Sequence, residues 1–111
     1  MDTPPDQLRI TDEEQDLIRR ILEGDEAAFV QLVQQYNAIM LRLCMSFVSS
    51  QAVANEVVQE AWMGVLSGLA KFEGRSTLKT WIFRILTNRA KTRGVREGRT
   101  VPFSALARDD E

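Results

Sequence analysis

The sequence KFEGRSTLKTWIFRILTNRAKTRGVR, residues 71–96, decides the fold that we predict for this chain. A loop around Gly74 leads into a run of apolar residues at intervals of three and four, which is the spacing of one face of an α-helix. The side chains expected to face a core are Leu78, Trp81, Ile82, Ile85 and Leu86. We therefore predict a helix over residues 77–93 that ends at or near Gly94.

Upstream, the residues around Thr11 have the pattern of a helix start. Thr11 and Glu14 form a capping-box pair, in which the hydroxyl accepts from the N3 amide and the carboxylate accepts from the N-cap amide. The apolar face that follows consists of Leu17, Ile18, Ile21 and Leu22. This first helix is predicted to end near Glu23, with Gly24 as its C′ residue.

Two longer helices are predicted between Asp25 and the loop. Asp25 is a good N-cap for a helix over 26–48, and the polar residues 49–51 separate it from a helix over 52–68. The core positions of the second helix are Phe29, Leu32, Val33, Tyr36, Met40, Leu43 and Phe47. Those of the third are Val58, Ala61, Trp62, Val65 and Leu66, followed by Leu69. No segment has the pattern of a strand, so the predicted fold is an all-α, compact bundle of about four helices.

The two ends of the chain have no helical period. Residues 1–10 include two adjacent prolines and are expected to form a flexible arm. Residues 97–111 are expected to form a linker. The helical domain is therefore placed at residues 11–96, and a chain of 111 residues is long enough for one modest core.

Charge is strongly segregated along the chain. Residues 71–99 hold nine lysines and arginines against two acids, a net charge of +7, whereas residues 1–60 carry −7 and residues 101–111 carry −2. The net charge of −2 for the whole chain conceals this separation. A basic block in an otherwise acidic protein is typical of a binding site for a polyanion.

The chain lacks the residues that several classes of protein require. The chain has no histidine and one cysteine, so neither a zinc site nor histidine acid–base catalysis is expected. No glycine-rich phosphate loop is present, and we predict a protein that is not an enzyme and uses no cofactor or metal. Cys44 lies in an apolar run and is expected to be a buried thiol. The acidic N terminus and the absence of a long apolar run predict a cytoplasmic protein.

On the fourth predicted helix, one polar stripe lies opposite the apolar face. It contains Thr80, Arg84, Asn88 and Lys91, with Thr87 beside Asn88. Arginine and lysine at this spacing can neutralise successive phosphates, while asparagine can pair with the edge of a base. Most charged stripes are simply solvated helix faces, but such faces usually interleave acids, and residues 74–96 contain none. The stripe therefore predicts contact with DNA.

The loop before this helix suits an unpaired base or a phosphate. Gly74 allows a left-handed backbone, and Ser76 and Thr77 place hydroxyls near the amides of a helix N terminus. The rings of Phe72, Trp81 and Phe83 offer stacking surfaces for unpaired bases. The alternative is that Ser76 or Thr77 caps the helix and that Trp81 belongs to the core. The predicted DNA-binding residues are Lys71, Phe72, Gly74, Arg75, Ser76, Thr77, Lys79, Thr80, Trp81, Arg84, Asn88 and Lys91.

Four short motifs resemble those of one family. Residues 57–62 read VVQEAW, and KFEGRS at 71–76 and LKTWIFRI at 78–85 follow, while GDEAAF at 24–29 opens the second helix. In this order and spacing they resemble the second conserved domain of bacterial sigma factors, and most of all the extracytoplasmic-function group. The resemblance covers about residues 13–96.

The resemblance implies a domain of a transcription initiation factor. Such a domain docks on the clamp helices of the large RNA polymerase subunit and holds the −10 promoter element as the DNA melts. The loop at 72–77 would then take a base flipped from the non-template strand, and Arg84, Asn88 and Lys91 would line the strand-binding helix. The residues that would face the polymerase are Asn55, Glu56, Gln59, Glu60 and Met63. An anti-sigma factor is a further expected partner.

The sequence departs from the family pattern at three points. Val53 and Asn55 stand where the family more often has acids, which removes up to two negative charges from the face toward the clamp. Arg75 fills a variable loop position, so the base preference does not follow from the resemblance. The family normally continues into a helix-turn-helix that reads the −35 element, and the chain is expected to be truncated before it.

Two other functions are compatible with these residues. The chain would be a helical protein-interaction module if its main role were to bind an inhibitor of the anti-sigma type. It would be a general helical DNA-binding protein if a helix pair with a tight turn read duplex DNA, but the connection at 70–76 is long for such a turn.

Overall fold

A computed structural model of the chain describes residues 10–98, and all structural statements refer to that part. It contains four α-helices, α1 (Asp12–Leu22), α2 (Glu26–Cys44), α3 (Gln51–Gly68) and α4 (Leu78–Arg96), and a 3₁₀ turn at Leu69–Lys71. Residues 10–98 include no strand, which confirms the predicted all-α fold. Most of the predicted arm and linker lies outside the described residues. None of the four helices is long and apolar enough to span a membrane.

The start and end of α1 follow the predicted capping chemistry. Thr11 Oγ1 accepts from the amide of Glu14 at 3.1 Å, and Glu14 Oε1 accepts from the amide of Thr11 at 3.1 Å. Gly24 has a φ of +95°. It ends the helix because its amide bonds the carbonyl of Ile21, while the amide of Asp25 bonds the carbonyl of Arg20.

Helix α2 starts as predicted but is shorter than predicted. The carboxylate of Asp25 accepts from the amide of Ala28 at 3.2 Å, and this bond, together with the nearby Arg20, holds the pKa of Asp25 below its ordinary value. The helix ends at Cys44 rather than at residue 48. Ser46 Oγ donates to the carbonyl of Leu43 at 2.6 Å, and a serine that bonds a nearby carbonyl competes with helix propagation.

Helix α4 is longer than predicted. It passes through Gly94, which is buried, and ends at Arg96. The left-handed glycine that stops it is Gly98, with a φ of +79°. Glu97 secures this end, because its Oε1 accepts from both the amide and the hydroxyl of Ser49, each at 3.2 Å. The sequence pattern did not distinguish the two glycines, since each has an arginine within the two residues before it.

All four helices contribute to one core, in which α4 packs mainly against α3 and α3 against α2. Phe29 packs edge to face on Trp62 at a centroid distance of 5.8 Å, and Trp62 donates its indole N–H to Asn37 Oδ1 at 3.0 Å. The most completely buried large side chains are Phe47, Leu32, Met40, Leu69, Leu78, Ile82 and Leu86. Phe47 keeps its predicted core position although it lies beyond the end of α2.

Two predicted core residues are exposed. Leu22 is 50% exposed because it is the last residue of α1, where the chain turns away toward α2. Leu66 is 48% exposed because it lies on the side of α3 that also exposes Met63. Both residues have the right spacing along the helix, but no other described element covers them.

Candidate nucleic-acid interface

The loop at residues 72–77 depends on glycine at its tip. Gly74 has a φ of +75°, a conformation that residues with a side chain rarely adopt. A Cβ at this position would lie 2.8 Å from Ile10 Cγ2, which is too close for any side chain to fit without movement. The predicted need for glycine is therefore explained twice, by the backbone conformation and by the neighbouring isoleucine.

An aromatic pair lies at the base of this loop. The rings of Phe72 and Trp81 are 4.8 Å apart between centroids and inclined by 31°, and both side chains are half-buried. Trp81 also lies against α3 at Gly68, where an added Cβ would be 3.2 Å from Trp81 Cζ2. Trp81 thus packs partly in the core and partly at the surface. Phe83 does not join this pair, because it packs edge to face on Tyr36 at 6.0 Å.

The two loop hydroxyls have different surroundings. Thr77 is the N-cap of α4: its Oγ1 accepts from the amide of Thr80 at 3.1 Å and donates to Thr80 Oγ1 at 2.9 Å. Ser76 Oγ donates to the carbonyl of Thr77 at 3.1 Å, and its lone pairs still permit it to accept. The capping interpretation therefore describes Thr77, and Ser76 is the better candidate for contact with a ligand.

Most of the predicted polar stripe of α4 reaches the surface. Thr80, Arg84 and Asn88 are exposed, and Lys91 is half-buried. Thr87 was placed beside Asn88 but is 7% exposed, because the apolar face of α4 extends round to Ala90 and Gly94. Lys71, Arg75 and Lys79 are exposed near the loop, and Arg75 pairs with Glu73 at 3.0 Å.

A basic groove between α3 and α4 was not assigned from the sequence. Its lining residues are Glu60, Ile85, Asn88, Arg89, Thr92, Arg93 and Arg96. Arg89 enters it by lying over Gly64, where an added Cβ would be 2.8 Å from Arg89 Nη2. These arginines belong to the basic run of the sequence, and the missing side chain of Gly64 leaves room for Arg89 beside α3.

The residues of the second predicted face all lie on the surface of α3. Asn55, Glu56, Gln59, Glu60 and Met63 are exposed, and Met63 has 72% of its surface exposed. Glu56 is not isolated, since its Oε1 lies 2.6 Å from Arg93 Nη2, and this hydrogen bond raises the pKa of Arg93. Val53, which stands where the family more often has an acid, is half-buried against the core. A charged side chain at this position would be poorly solvated.

Residues 32–100 match the family model described as sigma-70 region 2. The chain belongs to this family. The matched segment of this sigma-70 region 2 domain contains most of α2 and all of α3, the loop and α4. The interface described above therefore lies inside the part of the chain that carries the family pattern, whereas α1 lies outside it.

Curated sigma factors align over most of the chain. It is 36% identical over 99 residues to the RNA polymerase sigma-H factor of Pseudomonas aeruginosa, covering 89% of this chain and 51% of that protein. It is 38% identical over 91 residues to the ECF RNA polymerase sigma-E factor of Escherichia coli K12, covering 82% of this chain and 47% of that protein. The chain spans about half the length of the curated relatives that it matches. These relatives agree with the extracytoplasmic-function resemblance.

Proposed function

We propose that this domain acts in transcription initiation by docking on RNA polymerase and holding the non-template strand of the −10 element as the promoter melts. The observation that carries the proposal is the loop at 72–77. It brings a left-handed glycine, an open serine hydroxyl and a half-exposed aromatic pair to the N-terminal end of a basic helix. Family membership supports the same function.

The loop suits capture of a single base. The exposed parts of the Phe72 and Trp81 rings provide an apolar surface on which a base can stack. Ser76 can accept a hydrogen bond from the edge of that base. Gly74 has no side chain of its own, so the backbone at the tip can approach a base closely on the side away from Ile10. A base must leave its duplex to reach such a loop, so this geometry favours single-stranded over duplex DNA.

The exposed face of α4 continues from the loop. Thr80, Arg84 and Asn88 follow one another along the helix at intervals of one turn. We infer that Arg84 neutralises a phosphate and that Asn88 reads a base in the strand that leaves the loop. Lys71 and Lys79 add positive charge near the same path.

The exposed face of α3 is the proposed polymerase-binding surface. It combines the acids Glu56 and Glu60 with the polar Asn55 and Gln59 and the strongly exposed Met63. Acidic and polar side chains around one apolar side chain fit a basic partner helix with an apolar contact point. An anti-sigma factor that covered either face would block the corresponding partner.

The first test is fluorescence anisotropy with a labelled, single-stranded oligonucleotide pool randomised over the −10 positions. We expect the chain to select particular sequences, and Asn88→Ala to lose that selection and about tenfold in affinity, the size of one good base contact. Asn55→Ala is the matched control, because it makes the same change on α3 and should bind the selected strand like the wild type.

The duplex form of the selected sequence should bind more weakly than the single strand. Equal affinity for duplex and single strand would contradict base capture and favour a general helical DNA-binding protein. Binding that ignores sequence, or no binding at all, would favour a protein-interaction module that recognises the polymerase or an inhibitor.

A further inference from the structure

Residues at the start of α1 lie against the loop at 72–77, although they are distant in sequence. Ile10 immediately precedes the N-cap Thr11, and its side chain is half-buried against the core. Its Cγ2 methyl would lie 2.8 Å from a Cβ on Gly74, so it packs directly on the Cα of the loop tip. The loop therefore has a wall on the side of α1.

Glu14 links the first turns of two helices. Its Oε1 accepts from the amide of Thr11 at 3.1 Å and lies 3.5 Å from the amide nitrogen of Leu78, the first residue of α4, 64 positions later. A carboxylate is favourable at both places because the free amides at a helix N terminus carry partial positive charge. Glu14 lines, together with Tyr36 and Leu78, a cleft between α1, α2 and α4, and its charge adds to the effect of burial in raising the pKa of Tyr36.

The loop is thus held at three points by side chains from different elements. Phe72, at its start, packs on Trp81. Gly74, at its tip, packs under Ile10. Leu78, at its end, lies beside Glu14. Helix α1 also contacts the 3₁₀ turn that leads into the loop. Two of the three points come from residues outside the segment matched to the family model, which begins at residue 32.

From these contacts we propose that Ile10 and Glu14 are positioning residues for the proposed DNA site: they fix the conformation in which the loop at 72–77 accepts a base. The inference deepens the proposed function and rests on it. Neither residue needs to touch the DNA. Each acts by excluding alternative loop conformations, which a flexible glycine would otherwise populate.

The first experiment compares Ile10→Ala with Ile10→Val in the full chain. Valine keeps the Cγ2 methyl that packs on Gly74, whereas alanine removes it. We expect Ile10→Ala to accelerate amide hydrogen exchange in residues 73–76 and to weaken binding of the selected single strand about fivefold. Ile10→Val should match the wild type in both measurements.

Leu22→Ala is the matched control for general loss of apolar surface from α1. Leu22 is 50% exposed at the other end of the helix. It should change neither the exchange of the loop amides nor the affinity for the strand. The affinity of Ile10→Ala for core RNA polymerase should equal that of the wild type, because α3 is not altered.

A second experiment tests the contact without DNA. Gly74→Ala should lower the melting temperature for two reasons, the positive φ and the clash with Ile10. Combining it with Ile10→Ala removes only the clash, since the Cβ of residue 10 would be 3.6 Å from the new methyl, an ordinary contact. The melting temperature of the double variant should therefore fall by less than the sum of the decreases in the two single variants.

The outcomes separate this inference from the proposed function. Unchanged loop exchange in Ile10→Ala, or additive losses in the double variant, would overturn the positioning role even if the wild type binds the strand well. Strand binding by Ile10→Ala that equals the wild type would also overturn it. If the wild type binds no strand at all, the proposed function fails, and a role in positioning a DNA site fails with it, whatever the exchange measurement shows.

Discussion

Glycines and one cysteine show how much depends on single positions in this domain. The Trp81 ring packs against α3 at Gly68, and the Arg89 side chain packs against it at Gly64. In both cases a helix residue without a side chain determines where a large side chain of α4 lies. Cys44 has the opposite character, because it is completely buried between helices and its thiol contributes only volume.

The Cys44 thiol should be unreactive in the folded protein. Burial raises its pKa from 9.0 to about 11, an effect that the nearby Arg93 only partly offsets. At pH 8 only about one folded molecule in a thousand would carry the reactive thiolate. A thiol with the unshifted pKa of 9.0 would carry it in about one molecule in ten. Labelling with 5,5′-dithiobis(2-nitrobenzoic acid) at pH 8 should be slow in buffer and rapid in guanidinium chloride.

A matched control for this labelling is Met63→Cys combined with Cys44→Ala. Position 63 is 72% exposed, so that thiol should react at once in the folded protein. Rapid labelling of native Cys44 would mean that α2 opens readily and that the core is less closely packed than described. The raised pKa of Cys44 also makes the free energy of unfolding depend on pH. Its contribution favours the folded state below about pH 9 and falls as the pH rises toward 11, because the unfolded chain loses the thiol proton first.

At the scale of the elements, α3 separates two environments. Its inner side buries Ala54, Val57, Ala61 and Val65, while its outer side carries the proposed polymerase-binding residues. The ion pair between Glu56 and Arg93 joins this outer side to the end of α4. Because Glu56 already has an internal partner, Gln59 and Glu60 are the better candidates for contact with the polymerase.

Gln59→Ala combined with Glu60→Ala should weaken binding to core RNA polymerase about tenfold and leave the fold intact. Both side chains are exposed, and alanine favours a helix at both positions. The measurement is competition for core polymerase, with circular dichroism as the check on folding. Gln34→Ala with Glu26→Ala on α2 is a control with the same change in charge and composition. A loss of helix content in the α3 variant would show that this face is structural.

On the scale of the whole molecule, the charge segregation becomes a spatial arrangement. The acids lie mainly in α1, in the turn that follows it and on α3, whereas the basic part of the chain forms the loop and α4. Some of the positive charge is used internally, since Arg93 pairs with Glu56 and Arg75 with Glu73. The charges left for a DNA strand are therefore fewer than the net charge of the basic segment suggests.

Strand binding should depend on salt in proportion to the phosphates that are neutralised. If Lys71, Lys79 and Arg84 each neutralise one phosphate, the plot of log K against log salt concentration should have a slope of about −2. Arg84→Gln should reduce the steepness by about 0.7, whereas Arg42→Gln, a similarly exposed position on α2, should not change it. A slope near zero would contradict binding through phosphates.

The sequence by itself determined the helical class, the capping of α1 and α2, most of the core and the position of the basic loop. These features follow from local chemistry, because a capping side chain or an apolar face acts within a few residues of its own position. The family motifs and the proposed polymerase and DNA residues also lie within short segments. Accordingly, the predicted surface positions on α3, and most of those on α4, are exposed in the structure.

Only the tertiary structure decided the features that join distant residues. The packing of Ile10 on Gly74, the approach of Glu14 to Leu78, the pairing of Glu56 with Arg93 and the anchoring of Glu97 by Ser49 have no sequence pattern. The same holds for the ends of α2 and α4 and for the exposure of Leu22 and Leu66. Helix spacing states which side chains share a face, but whether another element covers that face depends on how the whole chain packs.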